Sequence, residues 1–233
     1  ARALIRHVAD NGEFFEMRRH WAGAVITGFA RLDGYSVGVI ASDPMKLAGA
    51  MDGNVADKYT HFVDLCDTFN LPALIFLDMP GFMLGSAAER KATMRRGARA
   101  LIASAEAKVP KIEFNVRKSY GVAADAPNGM GQPNGLNLRF GWPAGEWGGI
   151  PIEGGVAAAY KREIESAADP DAHREMIEER LLRLRSPFRA AHQGDVVDLI
   201  DPRDTRRLAC RFVRLAQPML ARLAQEPKRA VRP

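Results

Sequence analysis

The stretch Leu71–Pro110, LPALIFLDMPGFMLGSAAERKATMRRGARALIASAEAKVP, decides the fold of this chain. Ala73–Leu77 is a continuous apolar run, long enough for a strand that is buried on both faces. Pro80 then removes an amide N–H and Gly81 permits a positive φ, so the strand must end in a turn. From about Ala87, small and apolar residues recur at helical spacing. The stretch therefore predicts a strand, a glycine turn and a helix.

A second strand, predicted over Lys111–Val116, completes a βαβ unit. The strands of such a unit are parallel, and ligands normally bind at their carboxyl ends. Pro80-Gly81-Phe82 and Tyr120-Gly121-Val122 both fall at that end. We therefore expect two glycine turns to face one another there.

The residues before this unit predict more of the same architecture. Val25–Ala30 and Tyr35–Ala41 are expected to be strands, and Leu32-Asp33-Gly34 is a hairpin signal between them. Asn54–Phe69 has helical periodicity and ends shortly before Pro72. The order strand, strand, helix, strand, helix, strand predicts an α/β fold.

The residues after the unit are less regular. Ala124–Trp142 is punctuated by glycine, proline and asparagine, which excludes a continuous helix; a linker and an ordered loop over a site are equal alternatives. Beyond it, the pattern predicts helices at Val156–Ala168, His173–Arg185 and Thr205–Ala224, a short strand or bend at Val196–Ile200, and a basic tail over residues 226–233.

Composition indicates a globular protein. The chain has 233 residues, of which 47% are hydrophobic and 26% charged. No apolar run reaches the roughly 18 residues of a membrane span, and no signal peptide is visible, so we expect no membrane partner and a cytoplasmic location. Cys66 and Cys210 are more simply two buried free thiols in a reducing compartment than a disulfide.

The formal net charge is +5, which could serve nucleic acid or phosphate-bearing small molecules. The basic residues are scattered rather than clustered with aromatic ones. The densest group, Arg203–Arg214, lies at helical spacing and is most simply a solvated helix face. We therefore expect no nucleic-acid partner.

Side-chain chemistry offers few candidates. The five histidines are spread through the chain and predict no metal site. There is no Gly-x-Ser-x-Gly elbow and no Walker loop. Asp78, at a strand end, is either a general base or the partner of an Asx-type turn. The remaining option is backbone chemistry, in which amides at a turn or helix start hold an anion or a developing oxyanion.

Several motifs in one order resemble the carboxyltransferase (beta) subunit of biotin-dependent acyl-CoA carboxylases, the propionyl-CoA carboxylase family. The resemblance runs nearly from end to end of the chain. Its most specific parts are Gly12–Glu16 (GEFFE), Phe62–Pro72 (FVDLCDTFNLP), Phe76–Phe82 (FLDMPGF), Arg117–Gly121 (RKSYG), Tyr160–Ile164 (YKREI) and Ile200-Asp201-Pro202.

This resemblance implies a crotonase-like superhelix of ββα units with flanking C-terminal helices. A full subunit of the family has two such domains, and residues 1–225 resemble the second, biotin-side domain, followed by the tail 226–233. The family's active site lies between the first domain of one subunit and the second domain of another. The implied activity is transfer of CO2 from carboxybiotin to an acyl-CoA.

The resemblance also assigns roles to residues. Release of CO2 from carboxybiotin places negative charge on the ureido oxygen of biotin, which fixed amides would stabilise without any metal. The implied residues are Gly121, Val122 and Ala123 for these catalytic amides, Gly81, Phe82 and Tyr120 for the biotin pocket, and Asp125 for acyl selectivity.

Two departures from the family's pattern affect this assignment. The family reads Gly-Gly-Ala-Tyr where this chain has Gly121-Val122-Ala123-Ala124, and a β-branched Val122 can donate its N–H but is not expected at positive φ. The family then continues into a helix, which Pro127 and Gly129 interrupt here. We therefore expect a short helix after the second glycine turn.

The implied partners are an acyl-CoA substrate, an N-terminal acyl-CoA-binding carboxyltransferase domain, and a biotin carboxylase or biotin carrier subunit. Biotin would be attached to another protein, because the chain has no Met-Lys-Met biotinylation site. A homo-oligomer of the trimer-of-dimers type is expected, in the cytoplasm or, in a eukaryote, the mitochondrial matrix. The alternatives are a biotin-dependent acyl-CoA decarboxylase subunit, a non-catalytic docking or scaffold half, and an unrelated α/β domain.

Overall fold

A computed structural model describes residues 1–127, 136–152 and 154–226. The strands in these residues are β1 Phe14–Met17, β2 Val25–Leu32, β3 Tyr35–Ser42, β4 Ala73–Met79, β5 Lys111–Tyr120, β6 Asn137–Gly141, β7 Glu146–Gly148 and β8 Asp198–Leu199. The helices are α1 Arg2–Val8, α2 Gly53–Thr68, α3 Ser86–Arg90, α4 Thr93–Glu106, α5 Gly121–Asp125, α6 Gly155–Ala159, α7 Lys161–Glu165, α8 Pro170–Leu184, α9 Pro187–Gln193 and α10 Thr205–Leu223.

The strands form one mixed sheet in the order β1-β2-β3-β4-β5-β6-β8, with β7 paired to the end of β5. β1, β2 and β3 pair antiparallel, and the pairs from β3 onward are parallel. Leu32 pairs with Tyr35 across a two-residue turn. Asp33 and Gly34 have φ of 56° and 84°, the left-handed geometry that a tight hairpin requires. The predicted hairpin and α/β class are confirmed.

The predicted βαβ unit is present as β4, α3, α4 and β5. Every residue of β4 is buried, as its apolar sequence predicts. The single helix predicted from about Ala87 is wrong, because Ala92 has a φ of 54° and separates α3 from α4. α3 has no buried residue, so its small side chains do not continue the packed face of α4.

The sheet lies between two helical layers. α2 and α4 cover one face and pack with Ile75 and Leu77 of β4 in one core cluster. α1 and α10 cover the other face, where Ile112 and Phe114 of β5 lie in a second cluster. The Phe114 ring stacks between those of Phe76 and Phe140, with centroid distances of 6.0 and 5.7 Å. The predicted free, buried state of Cys66 and Cys210 is confirmed.

β4 and β5 change register near their carboxyl ends. Leu77 pairs with Asn115, but Met79 pairs with Ser119. Between them, the Asp78 carboxylate accepts hydrogen bonds from the Lys118 amide at 3.3 Å and from Arg117 Nε at 3.1 Å. Asp78 therefore stabilises this irregularity in β5, and its described contacts are with Arg117 and Lys118 rather than with the Pro80-Gly81 turn for which an Asx-type partner was considered.

Later elements differ from the sequence prediction in two places. β6 lies inside Ala124–Trp142, which was expected to be irregular, because it pairs in parallel with β5; residues 128–135 lie outside the described chain. The helix predicted at Val156–Ala168 is two short helices that break at Tyr160, where φ is −106° and ψ is 17°. The second predicted helix is α8. The short strand at Val196–Ile200 is confirmed as β8, and residues 227–233 of the predicted tail are not described.

Lys58 of α2 ties the segment between β1 and β2 to the helical layer. Its buried ammonium donates to the carbonyl oxygens of Arg18, Trp21 and Val25 at 3.1, 2.9 and 2.8 Å. Burial lowers the pKa of Lys58 to about 8.

Among the described residues, no helix combines the length and apolar character that crossing a bilayer requires.

Candidate active site

Two glycine turns lie side by side where β4 and β5 end. Gly81 follows β4 with a φ of 127°, and Gly121 follows β5 with a φ of 61°. A Cβ at Gly81 would lie 3.9 Å from the Tyr120 carbonyl oxygen, and a Cβ at Gly121 would lie 3.0 Å from that of Gly149. The turns therefore meet as predicted, and both need a residue without a side chain.

α5 begins directly at the second turn. Its N-cap residue, Tyr120, provides no side-chain hydrogen bond to the helix start. The first amides of a helix have no acceptor within the helix, and in α5 this applies to those of Gly121, Val122 and Ala123. Val122 is not among the residues at positive φ, and its side chain is 53% exposed. As expected from the sequence, the helix is short.

The first turn is fixed by its neighbours. The Met51 amide donates to the Gly81 carbonyl oxygen at 2.9 Å, and the Met83 amide donates to the Met51 carbonyl oxygen at 2.9 Å. The Phe82 ring packs directly over Gly97 of α4, where a Cβ would collide with it. The structure thus brings Gly81 to Gly121 but directs the Phe82 side chain towards α4.

The Tyr120 side chain is buried beside β7. Its hydroxyl donates to Glu146 Oε2 at 2.9 Å, and Arg185 lies 3.5 Å from the same oxygen. Burial, with Glu146 close by, raises the pKa of Tyr120 to about 12. Tyr120 is therefore a neutral residue at physiological pH, and its carbonyl oxygen is the part that lies near Gly81.

Asp125, at the end of α5, belongs to a chain of three charged side chains. Its Oδ1 atom lies 3.5 Å from Arg139 Nη1, and Arg139 Nε lies 2.8 Å from Glu113 Oε1. Glu113 is completely buried, and that burial raises the pKa of its carboxyl group. Sequence reasoning missed Glu113 and Arg139; the only signal was a carboxylate within a predicted strand.

The residues that follow α5 are hydrogen-bonded to side chains of α2 and α4. Tyr59 of α2 donates its hydroxyl to the Pro127 carbonyl oxygen at 2.8 Å, and Ser104 of α4 donates to the same oxygen at 3.0 Å. The Lys111 ammonium in turn lies 3.0 Å from the Ser104 hydroxyl.

In the described ranges, no group of three or more His, Cys, Asp or Glu residues could hold a metal ion.

Together these observations define a class of protein: an α/β domain in which two glycine turns meet at the carboxyl ends of neighbouring parallel strands. The match to known families agrees with that class. Residues 1–229 match the carboxyl transferase domain family, and the chain belongs to that family.

Curated relatives extend the match. The carboxyltransferase subunit of propionyl-CoA carboxylase from Haloferax mediterranei is 39% identical over 204 residues, covering 87% of this chain and 39% of the relative. The methylmalonyl-CoA carboxyltransferase 12S subunit of Propionibacterium freudenreichii is 39% identical over 207 residues, covering 88% and 39%. The methylmalonyl-CoA decarboxylase alpha subunit of Propionigenium modestum is 36% identical over 205 residues, also covering 88% and 39%. The chain thus spans about two fifths of the length of these relatives.

Solved structures share the fold. The transcarboxylase 12S crystal structure aligns with a TM-score of 0.82 and 35% identity, covering all of this chain and 43% of that one. The beta subunit of geranyl-CoA carboxylase from P. aeruginosa aligns with a TM-score of 0.82 at 24% identity, which bears on the fold alone. These neighbours confirm the predicted crotonase-like α/β fold.

Proposed function

We propose that this chain provides the biotin-side half of a carboxyltransferase site in a biotin-dependent acyl-CoA carboxylase. The observation that carries the proposal is the pair of facing glycine turns, with the uncapped start of α5 at one of them. The named relatives, propionyl-CoA carboxylase and methylmalonyl-CoA carboxyltransferase, agree in chemistry.

The residues present fit a flat, neutral ureido group. Gly81 and Gly121 place no side chain between the two turns, and the amides of Gly121, Val122 and Ala123 are hydrogen-bond donors without an acceptor inside α5. Biotin, carried on a separate protein, supplies the transferable carboxyl group when it is bound.

The role of this chain is to hold negative charge. Amides fixed before the reaction stabilise a developing oxyanion more than the neutral ground state, and removing one such donor typically costs about 100-fold or more in rate. Neighbouring ionisable groups are engaged elsewhere: Asp78 with Arg117, and Tyr120 with Glu146. The proposed chemistry therefore needs no side-chain base from this chain.

We infer that the acyl-CoA is held by a second carboxyltransferase domain, because this chain spans only part of its relatives. In that arrangement Asp125 faces the acyl group and shapes selectivity. The transcarboxylase 12S protein crystallised as a hexamer assembly with methylmalonyl-CoA bound. A trimer of dimers, served by a biotin carboxylase or carrier subunit in the cytoplasm or mitochondrial matrix, is our proposal for this protein.

A decarboxylase is the second candidate. It is favoured by the 36% identity of this chain to the methylmalonyl-CoA decarboxylase alpha subunit. The geometry of the two glycine turns is compatible with either direction of the reaction and does not separate a decarboxylase from a carboxylase. Net release of CO2 from a carboxylated acyl-CoA without ATP, by the assembled complex, would select the decarboxylase.

The proposed function is tested by the reverse half-reaction. The chain is mixed with free biotin and malonyl-, methylmalonyl- or methylglutaconyl-CoA, with and without a separate acyl-CoA-binding domain, and loss of the carboxyl group is followed. Turnover that depends on biotin supports the proposal, and the reactive substrate identifies the acyl group. Absence of turnover both with and without the acyl-CoA-binding domain would overturn the proposal and favour a non-catalytic docking half.

A matched pair of variants ties the activity to the second turn. Gly121→Ala adds a Cβ 3.0 Å from the Gly149 carbonyl oxygen at a φ of 61°, and we expect turnover to fall about 100-fold or more. Gly34→Ala places the same side chain at a φ of 84° in the β2–β3 hairpin, with open space around it. Equal turnover in the two variants would show that the second turn is not the site.

A further inference from the structure

One face of β5 is polar although it is buried. Lys111, Glu113 and Asn115 alternate with the apolar Ile112 and Phe114, and each of the three polar side chains is at most 1% exposed. The parallel register with β6 sets Asn137 opposite Lys111 and Arg139 opposite Glu113. Polar side chains from two adjacent strands therefore line the interior beneath α5.

Stability alone does not explain the buried Glu113–Arg139 ion pair. Replacing a buried ion pair by well-packed apolar residues is often neutral or stabilising, because desolvation offsets the attraction. The guanidinium, however, has donors at both ends of a rigid plane and can bridge two carboxylates. Here it joins buried Glu113, at 2.8 Å, to half-exposed Asp125, at 3.5 Å.

α5 needs such an anchor. It has five residues and no side-chain cap, and helices this short are not stable by themselves. Its Ala123 and Ala124 side chains are buried, but alanine methyl groups do little to fix the rotation of a helix. The described polar contacts at its far end are Arg139 to Asp125, Tyr59 to Ala126, and Tyr59 and Ser104 to Pro127 just beyond.

We propose that Arg139, held by the buried carboxylate of Glu113, is a positioning residue that fixes α5 through Asp125 and so aims the amides at the start of this helix. The effect of Arg139 on the position of α5 concerns the fold alone. Its effect on the reaction rate rests on the proposed function.

The sharpest variant is the double replacement of Glu113→Leu with Arg139→Met. It exchanges a buried ion pair for an apolar pair, so it retains a stable fold while it releases Asp125. Arg214→Gln is the matched control, because it removes an arginine that pairs with Asp33 at 2.6 Å far from α5. Asp125→Ala removes the contact between Arg139 and α5 by changing the half-exposed partner, and it leaves the buried Glu113–Arg139 pair intact.

Amide hydrogen exchange of the 233-residue chain gives the readout that a merely structural role would not move. In the double variant and in Asp125→Ala, we expect the amides of residues 124 and 125, the first that donate within α5, to exchange about 10-fold faster or more, while β4 and the unfolding midpoint stay unchanged. Arg214→Gln should leave α5 unchanged. Unchanged exchange of the amides of residues 124 and 125 in folded Asp125→Ala would overturn the inference, even if the double variant failed to fold.

Turnover in the reverse half-reaction completes the test. Misplaced amides should lower kcat by about 10- to 100-fold with little change in the KM for biotin, since the lost interaction belongs to the transition state. A wild-type chain without turnover would count against the proposed function and leave the exchange result to judge the positioning role. Wild-type turnover with normal kcat in Asp125→Ala and in the double variant would reject the positioning role alone.

Discussion

The two faces of β5 are equally buried and chemically opposite. On one face, Phe114 stacks between Phe76 and Phe140 under α1 and α10. On the other, Lys111 and Glu113 lead by hydrogen bond and ion pair towards α4 and α5. A single strand thus separates a face whose contacts only fill space from a face whose contacts lead to specific atoms of the candidate site.

The difference shows that burial alone does not define what a residue does. Apolar burial stabilises in proportion to the area removed from water, about 25 cal/mol per Å², and many side chains could supply it. A buried ion pair contributes little net stability but fixes the geometry of its partners. We therefore expect variants of the apolar face to cause the largest loss of stability, and variants of the Glu113–Arg139 pair on the polar face to change the position of α5.

The largest effect should come from the apolar face. Phe114→Ala removes the central ring of the stack and leaves a cavity, and we expect the free energy of unfolding to fall by about 3–5 kcal/mol. Urea denaturation followed by circular dichroism measures this loss. A loss as small as that of a surface substitution would mean that the stack does not hold the sheet to α10.

The polar face should make the stability of the folded protein depend on pH. Burial lowers the pKa of Lys111 to about 8 from its usual 10.5. Between these values the unfolded chain holds the proton and the folded chain has released it, so the free energy of unfolding rises as the pH is raised from 8 to 10.5. Compared with Lys111→Met, we expect a wild-type rise of about 1–3 kcal/mol across that range. Parallel pH curves for the two proteins would contradict the prediction.

Asn115 allows a direct contrast with its neighbour Phe114. In the described part of the chain neither amide atom of its side chain has a hydrogen-bond partner. Leu has the same branching and no polar atoms, so Asn115→Leu should raise the free energy of unfolding by about 1–2 kcal/mol. Thermal denaturation compares the two variants. If Asn115→Leu were destabilising, the amide would have a structural role that the apolar face lacks.

The smallest effect is expected outside both faces. Arg214 and Asp33 form an ion pair at 2.6 Å with side chains that are 58% and 43% exposed. Exposed pairs contribute about 0.2–1 kcal/mol, so Arg214→Gln should change the free energy of unfolding by no more than that, and less in high salt. A larger loss would mean that α10 depends on surface charge as well as on its apolar stripe.

The sequence was sufficient where a short pattern determines the structure. Ala73–Leu77 predicts a buried strand, Asp33-Gly34 a tight hairpin, and Gly81 with Gly121 two turns at one sheet edge. Each follows from neighbouring residues and from one rule about where parallel strands present their ends. The family, by contrast, followed from resemblance and not from composition or periodicity.

The sequence was insufficient where two distant segments had to be paired. The alternation in Lys111–Val116 is the same whether the polar side meets water or protein, and only the cover of α2, α4 and α5 decides which. Glu113 and Arg139 are brought together by the β5–β6 register, which no local pattern encodes. For the same reason β6 was missed within an irregular stretch.

Lys58 can be described in the terms of coordination chemistry. Its ammonium occupies the place of a monovalent cation among three carbonyl oxygens, at distances of 2.8 to 3.1 Å. Because this cation is covalently attached to α2, its local concentration is fixed by the chain and not by the ions in the solvent. The carbonyl oxygens of Arg18 and Trp21, between β1 and β2, and of Val25, the first residue of β2, therefore keep their cation whatever salt the solvent contains.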